Sequence, residues 1–161
     1  MDVQRFDAKK LSLLAAIMGS FVVGLDSTVV NVALPSISND LGGGLAGQQW
    51  VVNAYLLTLG SLILIGGSLG DLYGERKIFA LGVGAFGVAS LFCALAPSVE
   101  LLVAARGLQG MTSALLTPAS LALIATSYAN EKERGAAIGT WTAWVGIATV
   151  IGPLAGGWIL A

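Results

Sequence analysis

The sequence predicts an all-α membrane protein of five transmembrane helices, and two observations carry that prediction. Of 161 residues, 56% are hydrophobic and only 11% charged, with a mean hydropathy of +0.85. A soluble domain carries about 25% charged residues. The charges are also segregated. Stretches 41–70, 78–99, 107–130 and 135–161 contain no Asp, Glu, Lys or Arg. A helix needs about 20 predominantly apolar residues to cross the hydrocarbon core, and a water-soluble globule has no use for four such runs. A soluble enzyme, a nucleic-acid binder and a disordered tail are excluded on these grounds. A closed barrel would show alternating segments of about ten residues, which are absent.

The first span is Leu11 to Pro35, interrupted only by Asp26. A signal peptide is the competing reading, with a short basic start and an apolar run from Leu11 to Leu25. The run continues past Asp26 to Leu34 without a convincing small-residue cleavage site, so a membrane helix is the better prediction. The second span is Trp50 to Leu69 and the third Ile78 to Leu95. Their short connection makes them an antiparallel pair, with Gly74 suited to a positive-φ turn. The fourth is Leu101 to Ile124 and the fifth Gly135 to Ala161.

Basic residues mark the cytoplasmic side. Arg5, Lys9 and Lys10 precede the first span, Arg76 and Lys77 lie between the second and third, and Lys132 and Arg134 between the fourth and fifth. The other two connections hold Asp40 and Glu100 but no Lys or Arg. The expected arrangement is a multi-pass protein of the cell membrane with a cytoplasmic amino terminus and an outer loop from Ser36 to Gln49. Asp71 lies on the cytoplasmic side, where Asp does little for topology. A carboxylate favours a helix N-terminus, so docking against another element is its expected role.

Asp26 and Arg106 are the informative pair. An ionisable residue at the bilayer centre costs about 2.5–3.5 kcal/mol and normally faces a bundle interior, with a partner. At 1.5 Å per residue, Asp26 lies roughly 13 Å and Arg106 roughly 8 Å from the outer ends of their helices. They meet if the first and fourth helices are neighbours; otherwise Arg106 snorkels to the outer headgroups. Arg106, Gln109, Gly110, Ser113 and Thr117 share one face of the fourth helix. That face suits a solute or proton path, or simply interhelical hydrogen bonds. In the fifth helix Gly135, Gly139, Thr142, Gly146, Thr149, Pro153 and Gly157 form a stripe of small residues, expected to make a tight, bent helix contact.

The chain has no His and one cysteine, Cys93. Neither an internal disulfide nor a Cys/His metal site is available. No phosphate-cradling loop ending in Lys-Ser or Lys-Thr is present, and no constellation stands at catalytic spacing. No cofactor and no enzymatic activity are expected.

Four segments together resemble the major facilitator superfamily of secondary transporters. Leu25 to Pro35 is similar to the first-helix motif of the fourteen-span drug/proton antiporters. Gly67 to Lys77 resembles the signature loop between the second and third helices, with Gly67, Asp71, Gly74, Arg76 and Lys77 in place. Leu102 to Gly110 resembles the fourth-helix motif, whose Arg, here Arg106, is linked to proton coupling. Gly139 to Gly157 resembles the antiporter motif, with Gly152, Pro153, Gly156 and Gly157 intact. Leu72 and Glu75 stand where basic residues are usual, and Ala148 replaces a usual Gly.

The resemblance implies the first part of the six-helix amino-terminal half of a major facilitator fold, in which each half is two inverted three-helix repeats. It further implies the amino-terminal part of a proton-coupled drug or metabolite exporter, inactive as this fragment. Asp26 and Arg106 would be the coupling pair, and Asn31, Asn53, Gln109 and Thr117 lesser candidates for the cavity lining. The implied partners are a small-molecule substrate and protons in the full-length form, the lipid bilayer, and the remainder of the transporter. The alternative is a small membrane protein that binds or regulates a partner transporter half.

Overall fold

The computed structural model describes residues 2–160, with side chains from 8 to 158. The Arg5 side chain, expected to act as an anchor, lies outside the described side chains, and the span end at Ala161 outside the described residues. Five helices follow one another: α1 Asp2–Leu41, α2 Gly44–Tyr73, α3 Glu75–Ala94, α4 Val99–Ser127 and α5 Glu131–Leu160. Each contains a stretch long and apolar enough to cross a membrane. Each predicted span overlaps one helix, with Leu95 one residue beyond the end of α3.

The connections are tighter than the hydropathy suggested. The outer loop expected from Ser36 to Gln49 is a break of two residues, because α1 runs through Pro35 to Leu41 and α2 begins at Gly44. Gly42, Gly43 and Gly44 all have φ between 53 and 86°, a region that residues with a Cβ avoid. Three glycines in a row therefore reverse the chain without a longer polar loop. Most of Gly67 to Lys77 is likewise helical. The turn is Gly74 alone, at φ 94°, where glycine was expected. Polar side chains start the last two helices. Ser98 Oγ accepts the Leu101 N–H at 3.4 Å, and Asn130 Oδ1 accepts those of Lys132 and Glu133 at 2.9 and 3.2 Å. Both satisfy N–H groups that a helix start leaves without partners.

α4 is the centre of the bundle. Half of its apolar stretch is buried, against 28% or less in the other helices. It packs on α1, α2, α3 and α5, most extensively on α2 and α3, while α5 packs mainly on α1. Small residues set these distances. A Cβ at Gly66 or Gly110 would overlap the facing backbone of α4 or α2, and one at Gly82 would press on Leu116 at 3.1 Å. Two apolar clusters result. One gathers Ala16, Phe79, Leu116, Leu123, Ile124 and Ala137, and the other Val51, Val99 and Leu102. Many large apolar side chains are exposed, Leu64, Leu95 and Trp158 by more than three-quarters, as expected where lipid is the solvent.

The α5 stripe is corrected by this packing. Gly135, Gly139, Gly146 and Gly157 meet nothing within 4 Å, and Thr142, Thr149 and Pro153 are exposed. The contact face lies elsewhere on α5. Ala148, Gly152 and Gly156, four residues apart, are buried against Gly24, Thr28 and Val32 of α1, also four apart. The side chains of Thr28 and Val32 fill the space that the two glycines leave, so the buried face is chosen by the shape of α1.

Candidate functional site

A polar layer separates the two apolar clusters, and α1 and α4 meet there. Arg106 is buried, with its side chain 3% exposed, and its Nη1 donates to Asp26 Oδ2 at 2.6 Å. The snorkelling alternative therefore does not hold: the guanidinium turns into the bundle. Nη1 also donates to Gln109 Oε1 at 2.6 Å, and Nε to the Val51 carbonyl of α2 at 3.4 Å. The guanidinium lies over the Tyr55 ring, 4.4 Å from its centroid, a position favoured by the negative face of the ring. Tyr55 in turn donates its hydroxyl to Ser113 at 3.2 Å.

Gln109 is the hub of this layer and has no exposed surface. Its Nε2 donates to Asp26 Oδ1 at 2.8 Å and to Ser90 Oγ of α3 at 2.9 Å. Its Oε1 accepts from Arg106 and, at 3.3 Å, from the Cys93 thiol of α3. No buried side-chain nitrogen or oxygen among the described residues lacks a partner. The ion pair is thus enclosed by groups from four helices. Asp26 alone of the two charges has substantial access, its side chain 20% exposed.

The other expected site residues are dispersed. Thr117 lies two turns beyond Gln109 and is half-buried, its carbonyl accepting from Ser120 at 2.8 Å. Asn31 is exposed and donates back to the Ser27 carbonyl at 2.9 Å. Asn53 is exposed. None of the three joins the Arg106 layer. Asp71, Arg76 and Lys77 are exposed around the α2–α3 turn, and Asp71 stands in the last turn of α2. No helix start among the described residues receives it. Gly67 is half-buried against Pro118.

Tyr55, Ser90 and Cys93 were not anticipated. A tyrosine inside an apolar run, away from the membrane interface where tyrosine collects, was the one available signal. A second polar contact between α1 and α4 was also missed. Trp141 Nε1 of α5 donates to Ser20 Oγ at 3.0 Å, and Ser20 donates to Ser120 at 3.1 Å. A cavity of about 630 Å³ between α2, α3 and α4 is lined by Leu62, Phe92, Met111 and other apolar residues. It includes none of the ion-pair layer.

This architecture, with a buried Arg on a central helix facing an Asp on the first, agrees with a family match over nearly the whole chain. The model of the Major Facilitator Superfamily matches residues 16–161. The chain belongs to the major facilitator superfamily. As a member, it is a multi-pass membrane protein. Among its relatives, the puromycin resistance protein pur8 of Streptomyces alboniger is 46% identical over 145 residues, which is 90% of this chain and 29% of that protein. The multidrug resistance protein Stp of Mycobacterium tuberculosis is 43% identical over 147 residues, 91% of this chain and 27% of its own length. The methylenomycin A resistance protein of Bacillus subtilis is 42% identical over 145 residues, 90% of this chain and 31% of its own. The chain therefore spans less than a third of the length of these superfamily relatives.

Proposed function

We propose that this chain is the amino-terminal part of a proton-coupled exporter of small molecules of the drug or antibiotic class. The observation that carries the reading is Arg106, buried and fastened to the partly accessible Asp26. A charge pair at this depth is costly to keep, and three relatives are named for resistance to drugs. The remainder of the transporter, a small-molecule substrate and protons are its partners. The distribution of basic residues supports a cytoplasmic amino terminus.

In this reading Asp26 takes up the proton and Arg106 is its counter-ion. Ionised Asp26 ties α1 to α4 through Arg106 and Gln109. A proton removes the charge and with it the strongest of these ties. Arg106 keeps Val51, Tyr55 and Gln109, so it stays with α2 and α4 while α1 is released. The proton shifts the equilibrium between outward and inward states by its differential affinity for the two.

The test is the complete transporter in proteoliposomes, with puromycin and ethidium as probes. An imposed pH gradient should drive uphill transport of at least one, and Asp26→Asn should abolish the uphill component. Asn preserves shape but exchanges no proton. Persisting pH-driven transport in Asp26→Asn overturns the assignment of Asp26.

A further inference from the structure

We infer that Ser90 and Cys93 of α3 are positioning residues for the proton-coupling pair, acting through the Gln109 carboxamide that they clamp between α1 and α4. The inference rests on the proposed role of Asp26. Neither residue touches Asp26 or Arg106 in any hydrogen bond; their shared contact is Gln109.

A primary amide has two N–H donors and two acceptor lone pairs. In Gln109 all four are used, by Asp26 and Ser90 on the nitrogen and by Arg106 and Cys93 on the oxygen. The two groups at the ion pair are one-way. Arg only donates and a carboxylate only accepts, so while Asp26 is charged the amide has one workable orientation. Protonation changes one of them. The neutral acid carries a hydrogen of its own, and the amide N–H facing Asp26 then loses an obligate acceptor.

The α3 groups are different. A serine hydroxyl and a cysteine thiol can each turn to donate or accept. They therefore hold the amide in both protonation states of Asp26. With Gln109 clamped, the loss of attraction at Asp26 falls on the α1–α4 contact. Without the clamp, the flexible Gln109 side chain swings, and the change is absorbed locally. The titratable and charged groups around Asp26 are Arg106 on α4, Tyr55 on α2 and Cys93 on α3. The charged residues of α5 lie at its start, Glu131 to Arg134, far along the helix from this layer.

Two measurements on the complete transporter test this. The first needs no substrate. The carboxylic C=O stretch of protonated Asp26 is the infrared band that appears on acidification and is missing in Asp26→Asn. It should shift in Ser90→Ala and in Cys93→Ala, and return to its original position in Ser90→Thr and Cys93→Ser. The second compares pH-driven uphill transport of puromycin with puromycin exchange at equal pH. Each alanine variant should lower the driven component about five-fold, the factor carried by one ordinary hydrogen bond, and leave exchange and folded yield unchanged. The hydroxyl-bearing variants should restore it. A merely structural role would lower both components together, and that result overturns the inference. So does an unshifted band in both alanine variants. Persistence of driven transport in Asp26→Asn is a separate failure, of the proton-coupling reading itself.

Discussion

Gly66 of α2 lies directly against the Ala114 carbonyl of α4, so close that a methyl group at residue 66 would overlap it. Backbone, unlike a side-chain tip, cannot turn aside. Gly66→Ala should therefore push α2 and α4 apart and destabilise the bundle by about 1–3 kcal/mol, the range for overpacking. Gly67→Ala is the control, because its Cβ would rest 3.8 Å from Pro118, an ordinary contact. Thermal unfolding of the two purified variants in detergent checks this. Equal midpoints would mean that the approach at Gly66 is not required.

The α1–α5 contact predicts a second contrast. Gly152→Leu and Gly156→Leu should separate the two helices, since Thr28 and Val32 occupy the space a side chain would enter. In the complete transporter these variants should lose transport while still inserting, because Leu is as apolar as lipid requires. Separation can be read directly. A disulfide between Gly24→Cys and Ala148→Cys, made with Cys93→Ala, should form in the parent and fail with Gly152→Leu. It should persist with Gly157→Leu, whose position faces open space.

The ion pair predicts strong non-additivity. Arg106→Ala leaves the Asp26 carboxylate with Gln109 as its remaining hydrogen-bond partner, and breaking a buried pair costs about 3–5 kcal/mol. Asp26→Asn should be milder, because Asn can still accept from Arg106. The double variant should lose less folded protein than the two singles together, as contacting residues do. Folded yield in membranes measures all three. Simple additivity would mean that the 2.6 Å contact contributes nothing to folding.

Orientation is tested by labelling single cysteines in a Cys93→Ala background. A reagent that does not cross membranes should reach Gly44→Cys in intact cells, at the glycine turn between α1 and α2. It should not reach Glu75→Cys, beside the basic pair Arg76 and Lys77. The reverse pattern would invert the topology and place Asp26 nearer the cytoplasm.

What the sequence determined by itself was the set of helices, and it reduced the place of one long-range contact to two alternatives. Lipid offers the backbone no hydrogen bonds, so an apolar run of sufficient length has one stable form, and hydropathy alone locates α1 to α5. An ionisable group at depth needs a partner. With one Asp and one Arg inside the spans, the pairing of Asp26 with Arg106 was legible as one of two alternatives, and Gln109 shared the helix face of Arg106 by its spacing.

Tertiary structure decided which faces meet. Serine, threonine and cysteine in a helix can satisfy themselves on the preceding turn, as Thr58 and Ser113 do, so nothing local marks Ser90 and Cys93 as facing Gln109. Their role depends on how α3 rotates against α4, which Gly82 and Leu116 set by close packing. The same holds for α5. Small residues occur on both of its faces, and helical periodicity ranks the two equally. Only the complementary relief of α1, with Thr28 and Val32 four residues apart, selects Gly152 and Gly156 for burial, because packing depends on the shapes of two surfaces and a single helix records only one.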